Sequence, residues 1–300
     1  MSVYHIRSLH PADEASVMAL LKEALIFDEA EPVVVRNKIW HDPDFDEDLN
    51  IVALRDGEVI GILSAVVRSQ TMMGFVKVLA VDSSCRLRGV ASMLLESAES
   101  QMIKRGIAVI RVGESAPEYW WPGVDHRYTA ALLFFERKGY RRFGETHNMT
   151  LNPQSREWLQ TRVPNVLIRR ATPSDMSALM NFLQEVWPSW QYEARQCFEN
   201  HPISLHLAFI EDRIVGFSAY DASNPGTGWF GPMGVNQTAR GSGIGRELLF
   251  RCLEDFKRQG LSNVTIPWVG PLHFYSRLAG AAIERSFYRL EKKFEDLHSS

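Results

Sequence analysis

The residues best suited to bind a phosphorylated ligand form one glycine-rich turn, which reads Arg240, Gly241, Ser242, Gly243, Ile244 and Gly245. Glycine allows a tight turn and lets a ligand approach the backbone closely. An apolar stretch over residues 229–235 predicts a strand before the turn. Apolar residues at helical spacing over residues 244–256 predict a helix after it, with Gly260 as its stop. The first turn of a helix has unpaired N–H groups and a partial positive charge, so this arrangement predicts a phosphate site.

The same arrangement occurs earlier in the chain, where an apolar strand over residues 76–81 precedes Arg86, Leu87, Arg88, Gly89, Val90 and Ala91. An amphipathic helix follows and stops at Gly106. The pattern differs from the G-x-G-x-x-G of dinucleotide folds and lacks the Lys-Ser/Thr pair of a P-loop. Its spacing, R-x-x-G-x-G or R-x-x-G-x-A, resembles the coenzyme A pyrophosphate loop of the GNAT superfamily of N-acetyltransferases. Two glycine turns that merely cap ordinary helices are the alternative, and the repeated order of strand, turn and helix argues against it.

Further matches between the two halves indicate an internal repeat. The offset falls steadily from 162 to 140 residues along four matched pairs, which are Ile6 and Ile168, Gly61 and Gly216, Arg86 and Arg240, and Phe135 and Tyr275. Such a drift is expected for two copies of one domain with different loops. We therefore predict an α/β (α+β) protein with two tandem GNAT domains, each a mixed twisted β-sheet flanked by helices. Copy one spans residues 1–150, copy two spans residues 166–300, and a linker over residues 151–165, with a short helical stretch at Trp158 and Leu159, joins them.

The composition is that of an ordinary globular protein with a net charge of −3, so nothing indicates a nucleic-acid partner bound through bulk charge. The cysteines Cys85, Cys197 and Cys252 are far apart and odd in number, which disfavours a disulfide framework or a zinc site and fits a reducing cytoplasm. No signal core and no membrane-spanning run is present in the sequence. We expect a cytoplasmic protein without a metal, a nucleic acid or a membrane among its partners.

The resemblance implies acetyl-CoA as the co-substrate. In copy one, backbone groups of Leu79 and Val81 would pair with the pantetheine arm as with an extra strand, and the amides of residues 87–91 would hold the pyrophosphate. In copy two, Met233 and Val235 precede the loop of residues 240–245 in the same way. The tetrahedral oxyanion of the reaction would lie against a strand N–H near Val81 or Val235.

Each copy also has a counterpart of a second family signature, A-x-x-F-Y-x-x-x-G-Y/F. Tyr275 is at, or within one register step of, the position where many relatives carry a tyrosine proposed to protonate the departing thiolate. The resemblance thus implies that Tyr275 is a catalytic acid, with a half-buried structural tyrosine as the alternative. Phe135 holds this position in copy one and has no proton to give. Copy one therefore binds acetyl-CoA without acid assistance, uses Tyr128 or a water instead, or is non-catalytic.

The reaction also needs a base, because an alkyl amine with a pKa of roughly 10.4 is mostly protonated at pH 7. In the family's usual mechanism the amine attacks the thioester directly, so no Ser or Cys nucleophile is required. The strands of residues 76–81 and 229–235 carry no carboxylate. Glu114 is the acid best placed by position, and Asp125 and His126 are alternatives. A structural role for each of the three stays open.

Two loops of copy one bear on the acceptor. Residues 41–48 contain the carboxylates of Asp42, Asp44, Asp46, Glu47 and Asp48. They would attract a cationic amine such as a polyamine or an aminoglycoside, or else form a solvated, mobile loop. Residues 114–128 form an insertion relative to copy two that is rich in aromatic residues, notably over residues 119–127. They would wall a substrate pocket or pack the two domains together.

We predict an N-acyltransferase that transfers acetyl from acetyl-CoA to the primary amine of a small molecule by direct attack. One alternative is that one copy, in particular the N-terminal one, is a non-catalytic domain that binds acetyl-CoA or serves as a scaffold. A second alternative is an acetyltransferase that acts on a protein amine.

Overall fold

The computed structural model describes residues 4–28 and 30–294. Contacts divide the chain into two compact units. Unit 1 takes the described residues up to Thr146 and those from Ser286 onwards, and unit 2 is His147–Arg285. None of the described helices is both long and apolar enough to cross a bilayer.

Unit 1 contains a mixed sheet with helices on its two faces. Its strands are β1 (His5–Ser8), β2 (Asn50–Arg55), β3 (Glu58–Arg68), β4 (Met73–Val81), β5 (Val109–Val112), β6 (Val124–Asp125) and the first part of β7 (Arg141–Leu151). Its helices are α1 (Glu14–Ala24), α2 (Pro32–Lys38), α3 (Val90–Lys104) and α4 (Thr129–Arg137). Strands β1 to β4 pair antiparallel in chain order, and β4 pairs with β5 in parallel.

Unit 2 repeats this plan. Its elements are β8 (Val166–Arg170), α5 (Met176–Val186), α6 (Gln191–Gln196), β9 (Leu205–Ile210), β10 (Arg213–Tyr220), β11 (Phe230–Val235), α7 (Ile244–Arg258), β12 (Val264–Ile266) and α8 (Leu272–Ala279). Strands β8 to β11 form an antiparallel sheet in chain order, and β12 pairs antiparallel with the end of β7. The prediction of a mixed α/β protein with two similar domains is confirmed.

Both faces of the unit 2 sheet are buried, and its strands alternate between them, as expected for a period of two residues. On β10, Phe217 packs with the core of α5 and α6, whereas Tyr220 packs with the core of α7. On β9, Leu207 faces the first of these cores and Ala208 lies in a cluster with α7. The alternation determines which side chains can approach a ligand from each face.

The start of each unit shows the repeat directly. Arg7 in β1 pairs with Asp13, whose carboxylate also accepts from the backbone ahead of α1. Arg169 in β8 pairs with Asp175 ahead of α5. The N···O distances are 2.6 and 2.7 Å, and both pairs are six residues apart. The similarity found in the sequence is therefore a similarity of local structure.

The last strand of the chain, β13 (Ala282–Lys293), is a feature that the sequence did not predict. It pairs antiparallel with β5, where Leu290 faces Val112, and with β6, where Phe287 faces Asp125. Pairing covers the edge of β5, which would otherwise present unpaired backbone groups. The unit boundaries therefore differ from the predicted copy boundaries of 1–150 and 166–300, which remain a prediction about the repeat in the sequence.

After a 3-10 helix at Pro153–Ser155, the linker runs without regular structure as a strap along α7, so the predicted short helix at Trp158 and Leu159 is wrong. Its first half is held by Gln154, whose side-chain amide donates to the carbonyl oxygen of Lys257 at 2.8 Å. Its second half is held by Thr161, whose N–H and hydroxyl each donate to the buried Glu247 carboxylate at 2.7 Å. These bonds to α7 and the burial of Trp158 outweigh the local helix propensity.

Candidate active site

An arginine ties each glycine-rich loop to the strand before it. Nε of Arg240 donates to the carbonyl oxygen of Val235 at 3.1 Å. Nε of Arg86 donates to the carbonyl oxygen of Val81 at 3.2 Å. Because the same bond forms twice, the arginine of the R-x-x-G pattern positions the loop on the end of its strand, and its two terminal nitrogens remain on the exposed side chain.

Both loops turn tightly because each contains residues with a left-handed backbone conformation. Gly243 and Gly89 precede helices α7 and α3 with φ of 92° and 88°. A Cβ added at Gly89 would meet no atom of the described chain within 4 Å, so space is open in front of that turn. Copy two also has Gly241 at φ 81°, whereas copy one has the fully exposed Leu87 at φ 58°. A left-handed leucine is strained, so copy one keeps this loop shape at a cost that copy two avoids.

The helices that follow begin with free backbone donors. The first bond of the α7 ladder runs from Glu247 N–H to the Gly243 carbonyl, and that of α3 from Met93 N–H to the Gly89 carbonyl. The N–H groups before them in the first turn have no place in the ladder. The loops lie at the surface, and the predicted phosphate-binding residues lie together in them: Arg86, Leu87, Arg88, Gly89, Val90 and Ala91 in unit 1, and Arg240, Gly241, Ser242, Gly243, Ile244 and Gly245 in unit 2. Each loop thus has the open approach, the donors and the helix end that a pyrophosphate requires.

Each loop follows a strand that separates from its parallel neighbour. In unit 1, β4 pairs with β5 only as far as Val76, which faces Val112. In unit 2, β11 meets β12 at one bridge, between Trp229 and Thr265. Beyond these points, the edge of each strand has no strand partner among the described residues. The predicted pantetheine-binding residues, Leu79 and Val81 in β4 and Met233 and Val235 in β11, lie in these diverging parts. A ligand arm of extended shape can pair there as an added strand.

We call the gap that opens between β4 and β5, and between β11 and β12, the fork of each unit, and the place where the two strands part its mouth. The mouths of the two forks differ. In β4 the residue after the last pair is Lys77, which is 2% exposed, and its ammonium bonds to the Asp42 carboxylate. Burial lowers the pKa of Lys77 to about 8. At the common offset of 154 residues, its counterpart in β11 is Gly231, where an added Cβ would meet no described atom within 4 Å. At this place unit 1 has a buried ion pair, whereas the space beside the Cα of Gly231 in unit 2 is open.

Tyr275 lies beside the fork of unit 2. It is on α8 and 7% exposed, and its ring meets Phe230, the first residue of β11, edge to face at 6.0 Å. Burial raises the pKa of Tyr275 above its usual range, so the phenol stays protonated at neutral pH. Phe135 is buried on α4 in unit 1, among the core residues that face α3. The equivalence of Phe135 in copy one and Tyr275 in copy two stays a prediction from the sequence signature.

Glu114 is a buried, ion-paired carboxylate. Its two oxygens accept from Nε and a terminal nitrogen of Arg289 at 2.5 and 2.8 Å, and Arg111 adds a weaker contact at 3.3 Å. Asp125 is similarly bound to Arg127 at 2.7 Å. His126 is exposed, and its Nδ1 lies 3.1 Å from a backbone carbonyl oxygen. These contacts favour the structural alternative for all three residues.

The acidic loop of unit 1 is neutralised by basic side chains of its own unit. Arg68 holds the buried Asp42 through two bonds of 2.6 and 2.7 Å and also bonds to Asp44 at 2.7 Å. Arg105 bonds to Asp46 at 2.5 Å and to Asp48 at 2.9 Å. These ion pairs disfavour the expectation that the carboxylates attract a cationic acceptor. Asp44, Glu47 and Asp48 are exposed, so the alternative of a solvated loop stays a prediction.

The aromatic insertion of copy one is packed within unit 1. Trp120 is buried in the core of α1 and α2 and stacks on Trp121 at 4.5 Å. Trp121 Nε1 donates to Asp28 at 2.7 Å, and the Tyr128 hydroxyl donates to the same carboxylate at 2.6 Å. Tyr128, the alternative acid of copy one, therefore holds the insertion against the segment after α1.

A buried polar network joins the unit 2 sheet to α7. His206 Nε2 lies 2.6 Å from an oxygen of Asp255, and Arg170 bonds to the other oxygen at 2.6 Å. Because a carboxylate only accepts, Nε2 carries the proton in neutral His206, and Nδ1 has no partner among the described residues. Burial, with the nearby charges of Arg170 and Arg251, lowers the pKa of His206 despite the opposing effect of Asp255.

One carboxylate beside the unit 2 fork was missed in the sequence. Asp221 follows β10, and its N–H donates to the carbonyl oxygen of Trp229, the residue that bridges β11 and β12. The signal was available as a lone acid between an apolar strand and a turn. Only the register of β10 against β11 brings it to the fork, and single-sequence patterns do not give that register.

Comparison with known proteins identifies the family. A model described as the acetyltransferase (GNAT) family matches residues 15–119 and again residues 174–280. The two matches cover more than half of the chain, so the protein belongs to the acetyltransferase (GNAT) family, as predicted from its loops. No curated protein sequence matches the chain.

Solved structures show the same tandem fold. A GCN5-related glucosamine N-acetyltransferase region in a fungal multi-domain GH3 β-N-acetylglucosaminidase is 20% identical with a TM-score of 0.81. The match covers 97% of this chain and 38% of that one, so the chain spans less than half of that protein. A GCN5-related N-acetyltransferase from Sphaerobacter thermophilus is also 20% identical, with a TM-score of 0.76 and coverage of 97% and 95%. A tandem GNAT protein of the clavulanic acid biosynthesis pathway is 15% identical, with a TM-score of 0.70 and coverage of 97% and 98%. At these identities the likeness concerns the fold.

Proposed function

We propose that the protein transfers an acetyl group from acetyl-CoA to the primary amine of a small molecule, and that unit 2 carries out the transfer. Family membership supports acyl-CoA as the donor. The observation that carries the choice of unit is the open fork mouth at Gly231, compared with the buried Lys77–Asp42 pair at the same place in unit 1.

The proposed site follows from the order of features along β11. The pyrophosphate binds the loop of residues 240–245 and the first turn of α7, and the pantetheine arm runs along Met233 and Val235. The acetyl end then reaches the fork near Phe230, next to Tyr275. A backbone N–H of β11 beyond the bridge is a fixed donor for the developing oxyanion.

The reaction proceeds by direct attack. The neutral amine nitrogen forms a bond to the thioester carbon, and the carbonyl electron pair moves to oxygen. When the carbonyl reforms, the carbon–sulfur bond breaks with its electron pair on sulfur. Tyr275 gives a proton to this thiolate, and the amine proton leaves through a base. The proton taken by the base then restores the Tyr275 hydroxyl through water, so a neutral amine and acetyl-CoA give the acetamide and coenzyme A with no net proton.

Unit 1 serves as a scaffold in this proposal. Its loop keeps the shape of a phosphate site, but its fork mouth is closed and Phe135 replaces the acid. The aromatic insertion also supports a scaffold role, because it packs against the core of α1 and α2. We do not assign Glu114 a catalytic role in the proposal, since two arginines bind its carboxylate.

The acceptor can be found by a defined panel. Glucosamine is the first candidate, because a structurally similar region is described as a glucosamine N-acetyltransferase. Spermidine tests a cationic acceptor, and peptides with a free N-terminal alanine or a lysine test a protein amine. We expect amine-dependent release of the coenzyme A thiol, with a matching mass increase in glucosamine or another small amine. Tight binding of acetyl-CoA without release for any amine would instead show a binding module.

A further inference from the structure

Asp221 lies one strand away from the point where β11 and β12 separate. Tyr220, the last residue of β10, faces Phe230 across the sheet, and Asp221 N–H bonds to the Trp229 carbonyl at 2.9 Å. Neighbouring strands are about 4.8 Å apart. The backbone of Asp221 is therefore about one strand spacing from the residue at the mouth of the fork.

The carboxylate of Asp221 is half-buried but has no cationic partner among the described residues. One oxygen accepts from the N–H of Gly226 at 3.2 Å, within the same hairpin loop. Burial raises its pKa to about 6, against the opposing effect of that single bond. It is therefore ionised at neutral pH, with an oxygen left to accept a proton.

Tyr220 and Asp221 contact elements on opposite sides of the sheet. The Tyr220 ring packs with Phe256 of α7, whereas the carbonyl oxygen of Asp221 accepts from the side-chain amide of Asn200, which follows α6, at 3.2 Å. Tyr275 also belongs to the core of α7. A carboxylate on the α6 side and a phenol on the α7 side thus flank the same end of β11.

We propose that Asp221 is the general base that removes the proton from the acceptor amine in unit 2. The proposal rests on the proposed function and deepens it. The carboxylate takes a proton from the nitrogen of the bound ammonium, and the freed electron pair then forms the bond to the thioester carbon. Once the bond has formed, the nitrogen loses a second proton, which restores the Tyr275 hydroxyl through water. The carboxyl proton of Asp221 passes to solvent after the product leaves, so one proton is released for each ammonium acetylated and both groups are restored.

The other groups near Asp221 are less suited to this role. Glu193 of α6 is 4% exposed and accepts from the Ser223 hydroxyl at 3.2 Å. Cys197 is fully buried, and burial raises the pKa of its thiol to about 12, so it stays protonated. Asp221 combines an ionised carboxylate with partial exposure and a place one strand from the fork.

The test compares wild type with Asp221→Asn and, as a matched control, Asp212→Asn. Asparagine keeps an oxygen for the Gly226 N–H, so the loop bond can persist. Asp212 is an exposed aspartate in the turn at the other end of β10. The measurements are kcat from pH 5 to 9 with the panel amine that wild type turns over fastest, and acetyl-CoA affinity by calorimetry.

We expect Asp221→Asn to lower kcat by about 100-fold or more while the acetyl-CoA Kd stays within about twofold. The acid limb of the wild-type pH profile should disappear in this variant and persist in Asp212→Asn. A wild-type kcat and acid limb in Asp221→Asn would overturn the role of Asp221 and leave the proposed function standing. A wild type that turns over no panel amine would instead remove the proposed function, and this inference with it.

Discussion

Nε of Arg240 donates to the carbonyl oxygen of Val235 at 3.1 Å, across the turn that leads from β11 into α7. The arginine of the motif is thus a positioning residue for the loop rather than only a positive charge. Arg86 and Val81 repeat the bond at 3.2 Å in unit 1. The geometry explains why arginine is needed at this place, because lysine has no donor halfway along its side chain.

The first prediction concerns this bond. In Arg240→Lys the charge remains and the Nε donor is lost, which removes a hydrogen bond that contributes about 0.5–1.5 kcal/mol. We expect acetyl-CoA affinity to fall by roughly two- to twelvefold on that basis, measured by calorimetry. Arg86→Lys is the matched control and should leave the rate of acetyl transfer unchanged. Unaltered affinity in Arg240→Lys would show that only the charge matters.

The second prediction concerns the acid. Tyr275→Phe should lower kcat by about tenfold or more, because the thiolate loses its proton donor. Its acetyl-CoA Kd should not change, since the ring and its contact with Phe230 are kept. Phe135→Tyr in unit 1 is the reciprocal control and should not raise the rate. A wild-type kcat in Tyr275→Phe would assign Tyr275 to the core alone.

The parts of the fold that depend on local pattern could be predicted from the sequence. The two loops, with Gly89 and Gly243 at their helix starts, follow from glycine spacing between a strand and a helix. The strap at Trp158 could not be predicted, because burial against α7 overrides local propensity. The place of β13 beside β5 could not be predicted either, since strand pairing across a long stretch of chain leaves no local signal.

The candidate site, like the fold, could be predicted only where it depends on local sequence patterns. Tyr275 and the loops carry family patterns, so the sequence located them. The closed fork of unit 1 depends on Lys77 meeting Asp42 from a loop 35 residues earlier. Ion pairing of this kind also reversed the expectation for the acidic loop. Charge density in a sequence shows carboxylates but not the arginines that neutralise them.

The third prediction concerns the buried ion pairs of unit 1. Asp42→Asn leaves Arg68 and Lys77 buried without their shared carboxylate, and breaking a buried pair costs about 3–5 kcal/mol. The exposed partner of Arg105, Asp48, should cost less than about 1 kcal/mol when changed to Asn. Urea unfolding of the two variants measures the difference. Equal, small losses would contradict the central role of Asp42.

The fourth prediction concerns pH. The pKa of His206 is lower in the folded protein than its usual value of about 6.5, so the unfolded chain binds more protons below that pH. The contribution of His206 to the free energy of unfolding should therefore rise with pH up to about 6.5 and then level off, whereas Asp221, whose pKa burial raises to about 6, acts in the opposite direction below that pH. One proton contributes a slope of up to about 1.4 kcal/mol per pH unit. Denaturant unfolding of His206→Gln should show a shallower slope in this range, and an unchanged slope would assign the pH dependence to other groups.

The central claim is that unit 2 performs acetyl transfer while unit 1 does not. Gly89 and Gly243 offer a matched pair, because both precede a helix with nearly the same left-handed φ. A glutamate at either position adds the same strain, bulk and negative charge in front of the helix.

The most direct measurement is the rate of amine-dependent coenzyme A release by Gly243→Glu and Gly89→Glu. We predict that Gly243→Glu loses at least about 100-fold in kcat/KM for acetyl-CoA, which corresponds to about 2.7 kcal/mol of lost transition-state stabilisation. Gly89→Glu should remain within about twofold of wild type. Loss of the rate in Gly89→Glu, with Gly243→Glu unaffected, would contradict the account and assign the transfer to unit 1.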